Sequence, residues 1–293
     1  MARMRRLDRS DAVNELVPWR CPTCKVGVLT PFCAACGEEP LAPRDLTLRG
    51  LVEKLLHALT SIDARVARTA WRLIRHPGHL TVAWGEGVRR SYVAPFQLFL
   101  IANVIFFALQ WATGMNIFSS TLDSHLHHQD WSELARSIVA HRLAATHTSL
   151  ETYAPVFDRA VVLNAKSLIV LMTIPFAALL PLVFLRERRP FMLHVVFSVH
   201  LYTFLLLLFC VALLGAKASE WAGAGGLDAP MVDKVLSVLN LAACALYLYL
   251  ALGPVYRTRG WVRAMQTAAL TLVVGLIVLS YRFVLLLITL YAT

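Results

Sequence analysis

The sequence predicts an all-α integral membrane protein of about five transmembrane helices with a small zinc-ribbon module near its N-terminus. First, 58% of the 293 residues are hydrophobic and the mean hydropathy is +0.61. A soluble domain has about 45–50% apolar residues, and here the excess is concentrated in long apolar runs. Second, four cysteines near the start of the chain form two C-x-x-C pairs, namely Cys21, Cys24, Cys33 and Cys36.

The paired cysteines predict a structural metal centre. Zinc prefers four tetrahedral thiolate or imidazole ligands, and each C-x-x-C turn supplies two of them to one ion. Gly27 and Gly37 suit the turns that follow the two pairs. Because four thiolates close the coordination shell, we expect Zn²⁺ in a structural role. Iron in a rubredoxin-like site is the alternative metal. Disulfides are disfavoured because the charges of the loops between the spans place the cysteines in the cytosol.

Five apolar runs are long enough to be read as transmembrane helices, which need about 20 residues to cross the hydrocarbon core. The charged stretch 186–189 and the following Pro190 separate the second run from the third. Pro175 and Pro181 predict a kink in the second run. The five predicted spans are Ala94–Thr113, Lys166–Leu185, Leu193–Gly215, Val235–Leu252 and roughly Ala264–Ala292.

The loop charges predict the orientation of the bundle. Two loops are rich in arginine, 186–189 between the second and third spans and 257–263 between the fourth and fifth. The basic N-terminal region falls on the same side as these two loops, whereas the loops 114–165 and 216–233 are acidic or balanced. Since basic loops stay in the cytosol, this pattern places the N-terminus inside and the C-terminus outside.

The spans and the cysteine pairs divide the chain into four predicted regions. Residues 1–17 form a flexible basic N-terminus with no apolar signal-peptide core, and residues 18–40 form the zinc ribbon. Residues 41–93 hold cytosolic amphipathic helices, and residues 94–293 form the transmembrane domain with an outer helical hairpin at about 114–165. Within the third region, the apolar spacing predicts helices at Leu46–Leu59 and Ala64–Arg75.

Several short motifs resemble those of a known family. His76-Pro77-Gly78 is followed by the stretch 84–95, which reads WGEGVRRSYVAP and leads directly into the first span. With the cysteine pairs upstream, this pattern resembles domain of unknown function 3667, a family of bacterial membrane proteins that joins a short zinc ribbon to a multi-span region. Later similar segments are 174–177, 197–204 and 246–256. The resemblance implies a bacterial inner-membrane protein and this architecture, but no reaction. Lys25 departs from it, since a ribbon knuckle usually has glycine there.

Three residues directly before the first span form a candidate interfacial site. Arg89, Arg90 and Tyr92 suit topology and interfacial anchoring. They also suit an anionic lipid headgroup, because guanidinium groups bind phosphate bidentately.

Four of the polar residues inside the predicted spans, where polar groups are costly, are candidate site residues. His200 is either a neutral histidine satisfied by a neighbouring helix or a functional group. Asn103 and Asn240 are expected to form interhelical hydrogen bonds. Arg282 lies either near the outer interface or buried and paired.

The sequence contains no phosphate-binding glycine loop, no H-E-x-x-H motif, no nucleophile elbow and no paired intramembrane carboxylates. We therefore expect a non-enzymatic membrane scaffold that binds the bilayer, anionic lipid headgroups or a protein partner at the zinc ribbon, and we do not expect nucleic acid. The alternative is a small-molecule or lipid transporter with a polar path near His200 and Asn240. A membrane enzyme acting on lipid, with His200 and Arg282 as site groups, ranks last.

Overall fold

The computed structural model describes residues 18–38, 40, 65–115, 120–127, 129, 131–223 and 230–293. The predicted flexible N-terminus and the predicted helix Leu46–Leu59 lie outside these residues. The helices outnumber the strands by far, and the all-α prediction is confirmed. The two strands, β1 (Trp19–Arg20) and β2 (Gly27–Val28), pair antiparallel with Trp19 opposite Val28 and frame the cysteine module.

Ten α-helices are formed by the described residues. Two short helices precede the first apolar run, α1 (Arg65–Arg75) and α2 (His79–Gly85). The other helices are α3 (Pro95–Thr113), α4 (Leu122–His127), α5 (Ser132–Thr146), α6 (Leu150–Leu168), α7 (Thr173–Val183), α8 (Phe191–Trp221), α9 (Pro230–Tyr256) and α10 (Gly260–Ala292).

Four of these helices, α3, α8, α9 and α10, are long and apolar enough to cross a membrane. The helix pair Leu150–Ala165 and Ile169–Val183 is bent by 59° and makes a fifth crossing if it is counted as one span. Four to five spans therefore agree with the predicted number. Helices α8 and α10 have 31 and 33 residues, so each extends well beyond the about 20 residues that the hydrocarbon core requires.

The bent pair differs from the predicted hairpin and second span. The predicted span begins at Lys166, but α6 already begins at Leu150 and leads into the bend through a 3₁₀ turn at Ile169–Met172. Pro175 lies just after this turn, near the start of α7. Proline lacks an N–H and its ring collides with the carbonyl four residues earlier, which breaks the helix in the preceding turn. The second arm of the outer hairpin is thus continuous with the second span.

Helix α8 lies at the centre of the bundle. In its most apolar stretch 67% of the residues are buried, against 28% in the corresponding stretches of α9 and α10. It packs against α3, α7 and α9. The outer helices leave large apolar side chains exposed, such as Trp111, Leu239 and Leu272. An apolar surface of this extent is typical of a lipid-facing protein.

The bundle has two chemically different ends. The cysteine module, α1, α2 and the arginine-rich loops 186–189 and 257–263 lie at one end, which we call the knuckle end. At the opposite end the chain terminus is held by hydrogen bonds, from Asn164 to Thr289 at 3.0 Å and between the hydroxyls of Tyr153 and Thr293. The sequence therefore predicted correctly which loops share an end.

Gly78 fixes α2 to the end of α9. Its φ of +82° is in the left-handed region, and a Cβ at this position would lie 2.8 Å from the carbonyl oxygen of Ala251. Gly114 has a similar φ of +71°, but a Cβ added there would meet nothing within 4 Å. Substitutions at the two glycines therefore distinguish the free-energy cost of a left-handed backbone conformation from the cost of a steric clash with α9.

We expect Gly78→Ala to destabilise the protein more than Gly114→Ala. Both variants lose about 1–2 kcal/mol because an L-residue disfavours the left-handed region, and only Gly78→Ala must also push α2 away from α9. Apparent melting temperatures in detergent micelles test this. Equal losses for the two variants would show that α2 is not seated tightly against α9.

Candidate metal centre and adjoining anion site

The four cysteines converge on one point. Their sulfur atoms all lie within 4.8 Å of one another, with Sγ–Sγ distances of 3.3 Å from Cys24 to Cys33, 3.5 Å from Cys21 to Cys36 and 3.7 Å from Cys24 to Cys36. A tetrahedral ion with metal–sulfur bonds of about 2.3 Å separates its sulfurs by about 3.8 Å. All four are free thiols rather than disulfides, so the geometry fits a metal ion.

Two turns of the same design shape this centre. The Lys25 N–H donates to the carbonyl of Cys21, and the Gly37 N–H donates to the carbonyl of Cys33. Lys25 has a φ of 61° and Gly37 a φ of 71°. The expectation that Gly27 serves the first turn is therefore wrong, because Gly27 lies in β2 and Lys25 takes the left-handed position. Lys25 incurs a conformational cost that glycine avoids.

One cysteine is already biased toward the metal-binding form. The hydrogen bond from Cys24 lowers the pKa of Cys33 to about 6. A lowered pKa favours the thiolate, which is the form that ligates metals.

A buried carboxylate joins the metal centre to the membrane-entry segment. Glu38 directly follows the second knuckle and is only 1% exposed. Its Oε1 accepts the backbone N–H of Arg89 at 2.9 Å and of Arg90 at 3.3 Å, and its Oε2 accepts the hydroxyl of Thr23 at 2.8 Å. We call this arrangement the Glu38 clasp. Carboxylates that accept backbone N–H groups form strong, charge-assisted hydrogen bonds.

Three further contacts hold the same segment. A Cβ on Gly37 would lie 2.6 Å from Nη1 of Arg90, so the Arg90 side chain packs against the second knuckle. On the other side, Arg65 donates to the carbonyl of Arg90 at 3.3 Å, and the Val93 N–H donates to the Thr69 hydroxyl at 3.1 Å. The segment between α2 and α3 is thus fixed from both directions.

This fixed segment forms the wall of a cavity of about 290 Å³, which we call the first cavity. Its polar lining comes from Arg65, Arg89, Tyr92 and Gln97, together with His200 from the central helix α8. The start of α3 completes the wall. The predicted interfacial residues Arg89 and Tyr92 and the predicted intramembrane residue His200 therefore line one cavity.

The first cavity is electropositive. Among the residues that the structure describes, two guanidinium groups and no carboxylate line it. The Arg89 guanidinium lies 4.4 Å from the ring centre of Trp84, which holds it by a cation–π contact. Helix α3 begins at the cavity with proline in its first turn and no side-chain cap. The N-terminus of a helix adds a positive partial charge and favours an anion.

Two histidines contribute hydrogen-bonding groups. His200 is 3% exposed, and its Nδ1 lies 2.9 Å from the hydroxyl of Thr81 in α2. Among the described residues no hydrogen bond involves its Nε2. His79 Nε2 lies 3.3 Å from the Tyr92 hydroxyl. Burial and the nearby Arg72 lower the pKa of His79, so that its ring is neutral at neutral pH.

Residues 63–107 match the family described as "Protein of unknown function (DUF3667)". The resemblance stated from the short motifs is thereby confirmed for this stretch. Neither the curated proteins nor the solved structures contain a match to the chain. The DUF3667 stretch runs from before α1 into α3, and every lining residue of the first cavity except His200 lies within it. The cysteine centre lies outside it.

The remaining predicted site residues lie elsewhere. Arg90 contacts the second knuckle instead of lining the first cavity. Asn103 and Asn240 are half-buried, and neither side chain forms a hydrogen bond with another described residue. Arg282 is half-buried at the opposite end, where Asp233 interacts with it electrostatically.

The residues predicted to line a transport path, His200 and Asn240, lie on different helices of the bundle. His200 lies nine residues after the start of α8, or about 14 Å from the knuckle end at 1.5 Å per residue. Asn240 lies sixteen residues before the end of α9, or about 24 Å from the same end. The two residues differ in depth, and Asn240 does not line the first cavity.

Sequence reasoning missed Arg65, Thr81 and Glu38. Arg65 and Thr81 lie on amphipathic segments whose partners are not visible from spacing alone. Glu38 stands close to a predicted metal ligand, and its adjacency to the second knuckle was the one available signal. Its backbone partners lie more than fifty residues away in the chain, which no local pattern indicates.

We expect Lys25→Gly to stabilise the metal centre. Glycine removes a left-handed strain of about 1–2 kcal/mol, partly offset by its greater freedom in the unfolded chain. The measurement is the rate of metal release to a chelator, which should fall. Gly27→Ala is the control, because Gly27 has open space around it and no positive φ, and its rate should not change. Faster release from Lys25→Gly would contradict the assignment of Lys25 to the strained position.

Proposed function

We propose that this protein is a non-enzymatic membrane protein that binds the phosphate of an anionic lipid headgroup in the first cavity. The observation that carries the proposal is a cavity whose described lining holds two guanidinium groups, Arg65 and Arg89, and no carboxylate. A phosphodiester accepts bidentate hydrogen bonds from guanidinium groups. The His200 ring and the Tyr92 hydroxyl supply further partners for phosphate or glycerol oxygens.

The location of the cavity supports a lipid ligand. It lies where α3 enters the predicted membrane region, at the knuckle end with the arginine-rich loops. By the positive-inside rule this end faces the cytosol, and the DUF3667 resemblance implies the bacterial inner membrane. Cytosolic leaflets carry anionic lipids that attract basic surface segments. The C-terminus then lies outside.

The metal centre supports the proposal by fixing the cations. We propose that Cys21, Cys24, Cys33 and Cys36 hold a structural Zn²⁺, with iron as the alternative metal. A bound zinc ion ties the two knuckles together and supplies folding free energy. Glu38, which follows the second knuckle, then holds the backbone at Arg89 and Arg90 so that the Arg89 side chain faces the first cavity. The exposed face of the ribbon remains available for a protein partner.

We expect Arg65→Gln and Arg89→Gln each to weaken binding of short-chain phosphatidylglycerol. Loss of a charge-assisted hydrogen bond costs about 1.5–3 kcal/mol, or about 10- to 100-fold in Kd. Titration of the detergent-solubilised protein, followed by native mass spectrometry, measures this. Arg68→Gln is the matched control, because Arg68 is an exposed residue of α1 and its loss removes the same charge. A similar weakening by Arg68→Gln would indicate only general surface electrostatics and would refute the site.

We expect Glu38→Gln to weaken phosphatidylglycerol binding while the metal content stays at that of the unmodified protein. A carboxamide presents one acceptor oxygen and turns an N–H₂ group toward the donors, so the Arg89–Arg90 backbone is released. Metal content by elemental analysis and lipid affinity are measured on the same samples. Glu133→Gln, an exposed residue of α5, is the control. Unchanged affinity in Glu38→Gln would show that the clasp does not position Arg89.

A further inference from the structure

A second cavity of about 300 Å³ lies at the same end of the bundle. It is enclosed by the end of α2, the start of α8 and the end of α9. Trp84 lines both cavities and is the single residue that they share. The two cavities therefore lie on either side of the Trp84 side chain.

The charges of the second cavity differ from those of the first. In its described lining, Arg189 and Arg257 are the cations and Glu86 is the one carboxylate. Within the described part of the chain, none of these three side chains has an ion pair or a hydrogen bond, either with one another or with other residues. The Nε atom of Arg189 is shielded from solvent and has no acceptor among those residues. Arg189 is half-buried and Arg257 and Glu86 are exposed, so all three side chains remain able to hydrogen-bond a ligand that enters the cavity.

The backbone around this cavity favours an anion beside the two arginines. Helix α8 begins directly after Pro190 without a side-chain cap, and both Pro190 and Leu193 line the cavity. The N-terminal turn of a long helix attracts negative charge. Arg257 has a φ of 54°, a conformation that a non-glycine residue adopts at a cost and that is concentrated at functional sites.

We propose that the second cavity binds a zwitterionic aminophosphate headgroup of the phosphoethanolamine type. Arg189, Arg257 and the start of α8 bind its phosphate, and Glu86 binds its ammonium group. Two cations and one carboxylate complement a ligand that carries one anionic and one cationic group, whereas the described lining of the first cavity has no carboxylate. Apolar walls from Leu193, Pro254 and Val255 receive the glycerol and the first part of the acyl chains. This site goes beyond the function proposed for the first cavity.

The test is binding of short-chain phosphatidylethanolamine to the full-length protein in detergent, measured by native mass spectrometry. Arg189→Gln and Arg257→Gln should each weaken it at least tenfold. Arg259→Gln is the matched control, since Arg259 is exposed in the same loop and does not line the cavity, and it should leave binding unchanged. Phosphatidylglycerol binding that depends on Arg89 shows in each variant that the first cavity is intact and the protein is folded.

Glu86→Gln distinguishes the two charges of the ligand. It should weaken phosphatidylethanolamine binding and leave binding of phosphatidylglycerol, which has no ammonium group, unchanged or stronger. Equal effects on both lipids would refute the ammonium contact. Phosphatidylethanolamine binding that is insensitive to Arg189→Gln and Arg257→Gln would overturn the site.

The source of the headgroup is tested with glycerophosphoethanolamine, which has the same polar group without acyl chains. Binding of the lipid but not of this soluble compound supports a membrane lipid as the ligand. Binding of the soluble compound with the same dependence on Glu86 and Arg257 supports the site and assigns a water-soluble aminophosphate to it. Loss of phosphatidylglycerol binding by Arg89→Gln, with phosphatidylethanolamine binding retained, would show that the two sites are independent.

Discussion

The arrangement of the knuckle end depends on the Glu38 clasp. A carboxylate that is 1% exposed is costly to bury unless hydrogen bonds satisfy its oxygens. Here the donors are two successive backbone N–H groups, of Arg89 and Arg90, and the Thr23 hydroxyl between the first two cysteines. The acceptor and one donor therefore belong to the cysteine module, and the other donors belong to the membrane-entry segment. The clasp therefore joins the cysteine module directly to the membrane-entry segment.

The Trp84 side chain lies between the first cavity and the second cavity. On one side it carries the Arg89 guanidinium, 4.4 Å from its ring centre, and on the other it packs with Met192 and Val196 at the start of α8. Each cavity opens at the first turn of a long apolar helix, α3 or α8, so that backbone N–H groups and arginine side chains reinforce one another. In the described lining, the carboxylate Glu86 distinguishes the second cavity from the first, and the two proposed headgroups differ in the same charge.

The sequence predicted those features that depend on local pattern. Long apolar runs indicated the number of spans within one, the C-x-x-C spacing indicated the metal centre, and the loop arginines were placed at one end. The apolar pattern placed the start of the second span at Lys166, and it did not indicate that the amphipathic helix α6 continues from Leu150 to Leu168 across that point. The first knuckle turn was assigned to Gly27, because residue type alone suggested glycine where the backbone uses Lys25. Glu38 and Thr81 were missed because their partners are distant in the chain.

The membrane setting explains why metal and cations are combined. A guanidinium group at the edge of the hydrocarbon region interacts strongly with an anion because the local dielectric constant is low. The same low dielectric constant makes a misplaced cation unfavourable, so the position of Arg89 must be determined before a ligand arrives. On a flexible segment the backbone N–H groups of Arg89 and Arg90 would not stay aligned, and the Arg89 side chain would not keep its position. Anchoring them to a carboxylate beside a four-thiolate centre provides the rigidity without adding a negative charge to the lining of the first cavity.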